Sequence, residues 1–123
     1  MARNQIKQAV AYLRANDGSA AKLEAQRQRI AAWAAKTETV IGSWHLEVGS
    51  GTAEMRHRPG LLRALAAIEL GGAQVLVVAH SEALARSARQ MVALVERVGR
   101  LGAEVQSAVE GSLTRSRVFG TSC

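Results

Sequence analysis

The apolar run at residues 73–79 (AQVLVVA) constrains the fold of this chain more than any other segment. Its side chains are apolar on both faces of an extended strand, a pattern typical of a parallel sheet that is covered on both sides. Gly71 and Gly72 end the helical pattern before it, and a second helical pattern begins at Ser81. The segment therefore predicts a central strand in an α/β domain.

The other segments alternate between strand and helix patterns at the spacing of βαβ units. Strands are predicted at residues 8–14, 39–46 and 103–109, and helices at residues 20–36, from Pro59 onward and at 81–101. We therefore expect a three-layer α/β sandwich with a mostly parallel sheet of four or five strands over residues 1–109. Residues 110–123 are polar and are predicted to form a disordered tail.

Composition narrows the classes of function. The chain has 123 residues and a net charge of +6, and most of its basic residues are arginine, which matches phosphate geometry. Arginine-rich composition also follows from GC-rich coding, so a nucleic-acid partner stays open. The only cysteine, Cys123, excludes an internal disulfide. No membrane span or signal peptide is indicated, and we expect a soluble cytoplasmic protein.

Motifs for common cofactors are absent from the sequence. It contains neither GxGxxG nor GxxxxGK[ST], and no pair of Cys or His residues has the spacing of metal ligands. His45, His57 and His80 are scattered and are interpreted as surface or strand-end residues. We therefore predict no cofactor and no metal.

Four segments occur in an order that is specific as a set. AYLRAND ends the first strand, LEAQRQRI opens the first helix, EVGSGTAEMRHRPGLLRAL precedes and opens the second helix, and VLVVAHSEALARSARQMVALVERVGRLGAEV closes the domain. Together they resemble the catalytic domain of resolvase/invertase-type serine recombinases over residues 9–109. The resemblance implies a resolvase-like fold and a function in DNA recombination.

In that family a serine hydroxyl attacks a DNA phosphodiester and forms a covalent link, while arginines stabilise the charge on the phosphate. The resemblance places Asn16 at the position of this serine, and a carboxamide is not a nucleophile. It also places other side chains at active-site positions of the family: Tyr12, Arg14, Gln26, Ser50, Arg58 and Arg86.

Two further departures from the family pattern weaken the expected site. Glu82 stands at the position of an aspartate, and Ala83 stands at the position of a catalytic arginine. We therefore expect a degenerate recombinase domain that is unable to cleave DNA. A serine at position 19 or 50 could replace the nucleophile only if it reached attack geometry, which a displaced loop residue seldom does.

Two alternatives remain open. The surviving arginines could persist because they pack and cap the sheet edge, or because they still form an anion pocket. The domain could then be a binding or regulatory module that recruits an anion or a protein partner. Expected partners are weakly and non-specifically bound DNA, a second copy of the chain or another protein, and no membrane. Residues 110–123 show no counterpart of the family's long helix and DNA-binding region, and a truncated recombinase is therefore also possible.

Overall fold

The computed structural model describes residues 6–113. Along this part of the chain the strands are β1 (Lys7–Ala15), β2 (Thr39–Val48), β3 (Val75–Val78), β4 (Glu104–Ser107) and β5 (Gly111–Leu113). The α-helices are α1 (Ala20–Thr37), α2 (Pro59–Gly71) and α3 (Ala88–Arg100). The strand order is β2-β1-β3-β4-β5, in which the first four strands are parallel and β5 is antiparallel to β4.

The sheet is covered on both faces, as the sequence predicts. On one face α1 packs Ile30 against the β1 and β3 side chains Leu13 and Val77. On the other face α2 and α3 pack their apolar sides over β1, β3 and β4. All four residues of β3 are buried, which confirms the prediction of a central strand and of an α/β sandwich.

Each helix begins at a residue suited to a first turn. The Ser19 side chain accepts a hydrogen bond from the Lys22 amide at the start of α1, and Ser87 does the same for Gln90 at the start of α3. Pro59, which has no amide hydrogen to leave unpaired, opens α2. The starts of these helices fix the ends of the loops that surround the carboxyl edge of the sheet.

Between β3 and α3 the structure departs from the predicted continuous helix over residues 81–101. Ser81–Ala83 forms a short 3-10 helix, and α3 begins only at Ala88. The carbonyl groups of residues 82–84 accept hydrogen bonds from two distant arginine side chains. These bonds stand in place of the bonds to amides four residues later that a continuous helix would make. The prediction was wrong at this break.

Strand β5 lies inside the segment that the sequence predicted as a disordered tail. Leu113 is buried against the α2 and α3 side of the sheet, and Gly111–Leu113 pairs with β4. The tail prediction is therefore wrong for residues 111–113, and residues 114–123 lie outside the described part of the chain. None of the helices within residues 6–113 combines the length and apolar character that a membrane span requires.

Candidate functional site

A cavity of about 390 Å³ opens at the carboxyl ends of β1 and β3. It lies where the strand order changes direction, because β2 and β3 flank β1 on opposite sides. Ligands of open parallel sheets commonly bind at such a switch point. The side chains that line the cavity are mostly polar or cationic: Arg14, Asn16, Lys22, Gln26, Arg29, His80, Glu82 and Arg86, with Ala15, Ala25 and Ala79.

Arg14, near the end of β1, holds the surrounding loops together. Its Nη1 donates to the Gly49 carbonyl at 2.8 Å and to the side-chain oxygen of Asn16. Its Nε donates to the Ala83 carbonyl at 3.0 Å, and its Nη2 donates to the Glu82 carbonyl at 2.9 Å. The guanidinium therefore has most of its donors directed at protein oxygens.

The local charge around Arg14 is predominantly positive. Burial lowers the pKa of Arg14, and the positive charges of Arg58 and Arg86 lower it further, while Tyr12 and Glu82 act in the opposite direction. Like charges held close together produce a positive potential, which an anion entering the cavity would offset.

A buried chain of hydrogen bonds joins Arg58, Tyr12 and Glu47. The Arg58 Nη2 donates to the Tyr12 hydroxyl at 3.0 Å, and that hydroxyl donates to the Glu47 Oε1 at 3.1 Å. Arg58 also donates to the Leu84 carbonyl at 2.6 Å and lies over the Tyr12 ring, 5.5 Å from its centre. Arg58 is only 2% exposed, and its Nη1 and Nη2 donate to protein oxygens.

The environment of Tyr12 keeps its hydroxyl protonated. Burial raises the pKa of Tyr12 to about 12, although the hydrogen bond and charge of Arg58 oppose that effect. The protonated phenol can donate to Glu47 at neutral pH. A buried phenol with a raised pKa is also a poor nucleophile.

Glu47 anchors the start of α2. Its carboxylate accepts hydrogen bonds from the amides of Gly60 at 3.0 Å and Leu61 at 2.9 Å. A negative charge at a helix amino end is favourable because the first amides have no partner within the helix. A Cβ at position 60 would lie 2.5 Å from the Leu46 carbonyl oxygen, and therefore only glycine permits this close approach.

The structure divides the predicted site residues into three places. The cavity brings together Arg14, Asn16, Gln26 and Arg86, the last of which is exposed at the cavity wall. Tyr12 and Arg58 lie in the buried hydrogen-bond chain and do not line the cavity. Ser50 lies in an exposed loop, where its Oγ pairs with the Thr52 Oγ1 at 2.7 Å.

Sequence reasoning missed three residues that shape this region. They are Glu47, which pairs with Tyr12 and with the start of α2, and Lys22 and Arg29, which line the cavity. The signal for Lys22 and Arg29 was their spacing from Gln26, since positions 22, 26 and 29 share one helix face. Within residues 6–113, no group of His, Cys, Asp and Glu side chains has the arrangement of a metal site.

Comparison with known proteins identifies the family. The sequence profile described as "Resolvase, N terminal domain" matches residues 3–121. A search of curated proteins finds no match. The structure is similar to the C-terminal catalytic domain of IS1535 TnpA, an IS607-like serine recombinase, at 31% identity and a TM-score of 0.62, covering 80% of this chain and 69% of that one.

Two other solved structures share the fold at lower identity. A resolvase family site-specific recombinase from Streptococcus pneumoniae has 19% identity and a TM-score of 0.76, covering 93% of this chain and 84% of that one. The N-terminal catalytic domain of TP901-1 integrase has 19% identity and a TM-score of 0.74, covering 85% of this chain and 80% of that one.

The chain therefore belongs to the resolvase family of serine recombinases, a family linked to DNA recombination. The expected resolvase-like α/β fold is confirmed.

Proposed function

We propose that this domain takes part in DNA recombination without cleaving DNA. The observation that carries the proposal is the carboxamide of Asn16, which lies beside Arg14 in the cavity. The family resemblance assigns the attacking serine to this position. A carboxamide has no hydroxyl to deprotonate, so the covalent step has no nucleophile there.

Within residues 6–113, no side chain that lines the cavity supplies a hydroxyl or a thiol in place of the serine. Ser19 caps α1, Ser50 is engaged with Thr52, and Tyr12 is fully buried. Bringing any of them to a phosphate in the cavity would require a rearrangement of the surrounding loops.

The site also has fewer groups that could stabilise negative charge on a phosphate. Ala83 stands where the resemblance assigns a catalytic arginine, and its carbonyl instead accepts hydrogen bonds from Arg14 and Arg58. Loss of one charge-stabilising donor commonly costs about 2.7–4 kcal/mol of transition-state stabilisation. The missing nucleophile and the missing guanidinium weaken the same step.

Incubation with supercoiled plasmid tests this proposal. We expect neither nicked DNA nor a covalent protein–DNA adduct on a denaturing gel. An adduct would show that another residue supplies the nucleophile, and it would support an active recombinase instead.

A second candidate is a binding or regulatory module, and the cation-rich cavity favours it. Four cationic side chains and one carboxylate line the cavity: Arg14, Lys22, Arg29, Arg86 and Glu82. Such a module would recruit an anion or a protein partner, as a monomer or with a second copy of the chain, in the cytoplasm. Salt-dependent binding to random-sequence DNA at about 50 mM salt supports a phosphate contact, whereas the absence of binding favours a protein partner.

A further inference from the structure

We infer that the free edge of β2 pairs with β2 of a second copy of this chain, as antiparallel strands related by a two-fold axis at Leu46. No residue of β2 lines the cavity at the carboxyl ends of β1 and β3. The inference therefore concerns a separate surface and does not depend on whether the domain cleaves DNA.

The first argument is the open edge itself. β2 lies at one end of the strand order, and within residues 6–113 it pairs only with β1. It has 10 residues, so at about 3.3 Å per residue its edge is roughly 30 Å long. Backbone amides and carbonyls that point away from β1 can pair with another extended chain. The occupant that this edge fits is therefore a β-strand.

The second argument is that β2 lacks the features that commonly keep sheet edges apart. Edge strands are often protected by lysine, by proline or by a bulge. β2 contains no lysine, arginine or proline, and its one carboxylate, Glu47, is buried and bound to the start of α2. The register with β1 shifts once, at Gly42, and is regular from Ser43 to Val48. The carboxyl half of the strand is therefore open to pairing.

The third argument is an apolar strip on the α1 side of β2, formed by Trp44, Leu46 and Val48. Leu46 is 50% exposed and Val48 is 65% exposed. Trp44 and Leu46 also line a hollow of about 260 Å³ between β2 and α1. Adjacent apolar side chains that are left in water favour burial against a second apolar surface.

The apolar strip is complementary to itself, and this favours a second copy over an unrelated strand. In an antiparallel pair centred on Leu46, that residue faces its own counterpart, and Trp44 faces Val48 of the second copy. Directly opposite residues of antiparallel strands lie on the same face of the sheet, so the two apolar strips meet. Pairs of an aromatic with a β-branched residue stabilise such strands.

The charges beside the apolar strip also match a two-fold pairing. Glu24 and Arg27 line the α1 wall of the hollow, and the Arg27 Nε donates to the Glu24 Oε1 at 2.9 Å. Because this rim carries both signs of charge, it can face the same rim of a second copy without net repulsion. The net charge of +6 opposes association through the more basic parts of the surface.

Sedimentation velocity of the protein without DNA, over a range of concentrations, tests the inference. We expect a monomer–dimer equilibrium, and we expect Leu46→Lys to weaken it by at least about tenfold, because two like charges would then face each other at the axis. The matched control is Val109→Lys at the opposite edge of the sheet, where the side chain is 53% exposed. This control should change the dimer Kd by less than about twofold.

A mixing experiment tests the position of the axis. Leu46→Glu alone should also fail to dimerise, whereas an equal mixture of Leu46→Lys and Leu46→Glu should associate, because residue 46 of one variant faces residue 46 of the other. Thermal melts check that the variants fold.

Three results would overturn the inference: a monomer at every concentration of the unaltered protein, a Val109→Lys variant as weakened as Leu46→Lys, or a mixture that stays monomeric. None of these results bears on the plasmid assay, where an adduct would overturn the non-cleaving proposal alone.

Discussion

Gln26 clamps the main chain of Arg14 from the neighbouring helix. Its Oε1 accepts a hydrogen bond from the Arg14 amide at 3.1 Å, and its Nε2 donates to the Arg14 carbonyl at 2.8 Å. Gln26 is only 9% exposed, so water does not readily replace these bonds. The clamp joins α1 to the end of β1 beside the cavity.

Replacing Gln26 with alanine should lower the free energy of unfolding by about 1–3 kcal/mol, because two buried backbone groups lose their partner. Urea denaturation measures the change. The control is Gln28→Ala on the exposed side of α1, where the side-chain amide donates to Glu24 and the loss should stay within about 0.5 kcal/mol. Equal losses in the two variants would show that the buried clamp stabilises the fold no more than an exposed hydrogen bond does.

The close contact at Gly60 gives a second stability prediction. In Gly60→Ala the new methyl group would lie 2.5 Å from the Leu46 carbonyl oxygen, so α2 must move away from β2. Overpacking of this kind costs about 1–3 kcal/mol. Differential scanning calorimetry should show a lower Tm for this variant.

Gly71→Ala is the matched control in the same helix. A Cβ at Gly71 would meet nothing within 4 Å, and the residue has an ordinary helical backbone. The substitution should be neutral or should stabilise the protein by about 0.4–1 kcal/mol. A Gly71→Ala variant as unstable as Gly60→Ala would contradict the account of the contact.

The single tyrosine of the chain allows a direct pH test. The pKa of Tyr12 is raised from 10.0 to about 12, so the folded protein favours the neutral phenol relative to the unfolded chain. This contribution to stability is fully present below pH 10 and is lost as the pH rises toward 12. Tyrosinate absorbance should therefore rise at a higher pH in buffer, where the protein is folded, than in urea, where it is unfolded. Coincident titration curves in the two solvents would refute the buried environment.

Much of the fold could be predicted because its signals are local. The doubly apolar run around Val77, the cap at Ser19 and the proline at position 59 each mark an element within a few residues. Strand β5 lacked such a signal. It contains one buried apolar residue, Leu113, and its formation depends on pairing with β4.

The candidate site was less predictable because its contacts join residues far apart in sequence. The break after β3 arises where Arg14 and Arg58 reach the carbonyls of residues 82–84, and no local pattern indicates that competition. The motif resemblance identified Arg86 and Gln26 as site residues, and both line the cavity. It did not identify Arg29, because that residue lies outside the predicted constellation.

Restoring a hydroxyl at position 16 tests whether the missing nucleophile is the only defect. We expect Asn16→Ser to remain unable to nick supercoiled plasmid, because Ala83 supplies no guanidinium and Arg14 remains engaged with carbonyls. Nicking is measured by conversion of supercoiled to open-circular DNA on a gel. Detectable nicking by this variant would show that the absent arginine matters less than proposed here.

The most direct test of the central claim is a search for a covalent intermediate in the unaltered protein. The protein is incubated with supercoiled plasmid, quenched with denaturant and digested, and its peptides are examined by mass spectrometry for an attached nucleotide. The non-cleaving account predicts no nucleotide-linked peptide and no loss of supercoiling. A phosphoester on any serine, threonine or tyrosine would contradict it and would identify the residue that replaces the missing nucleophile.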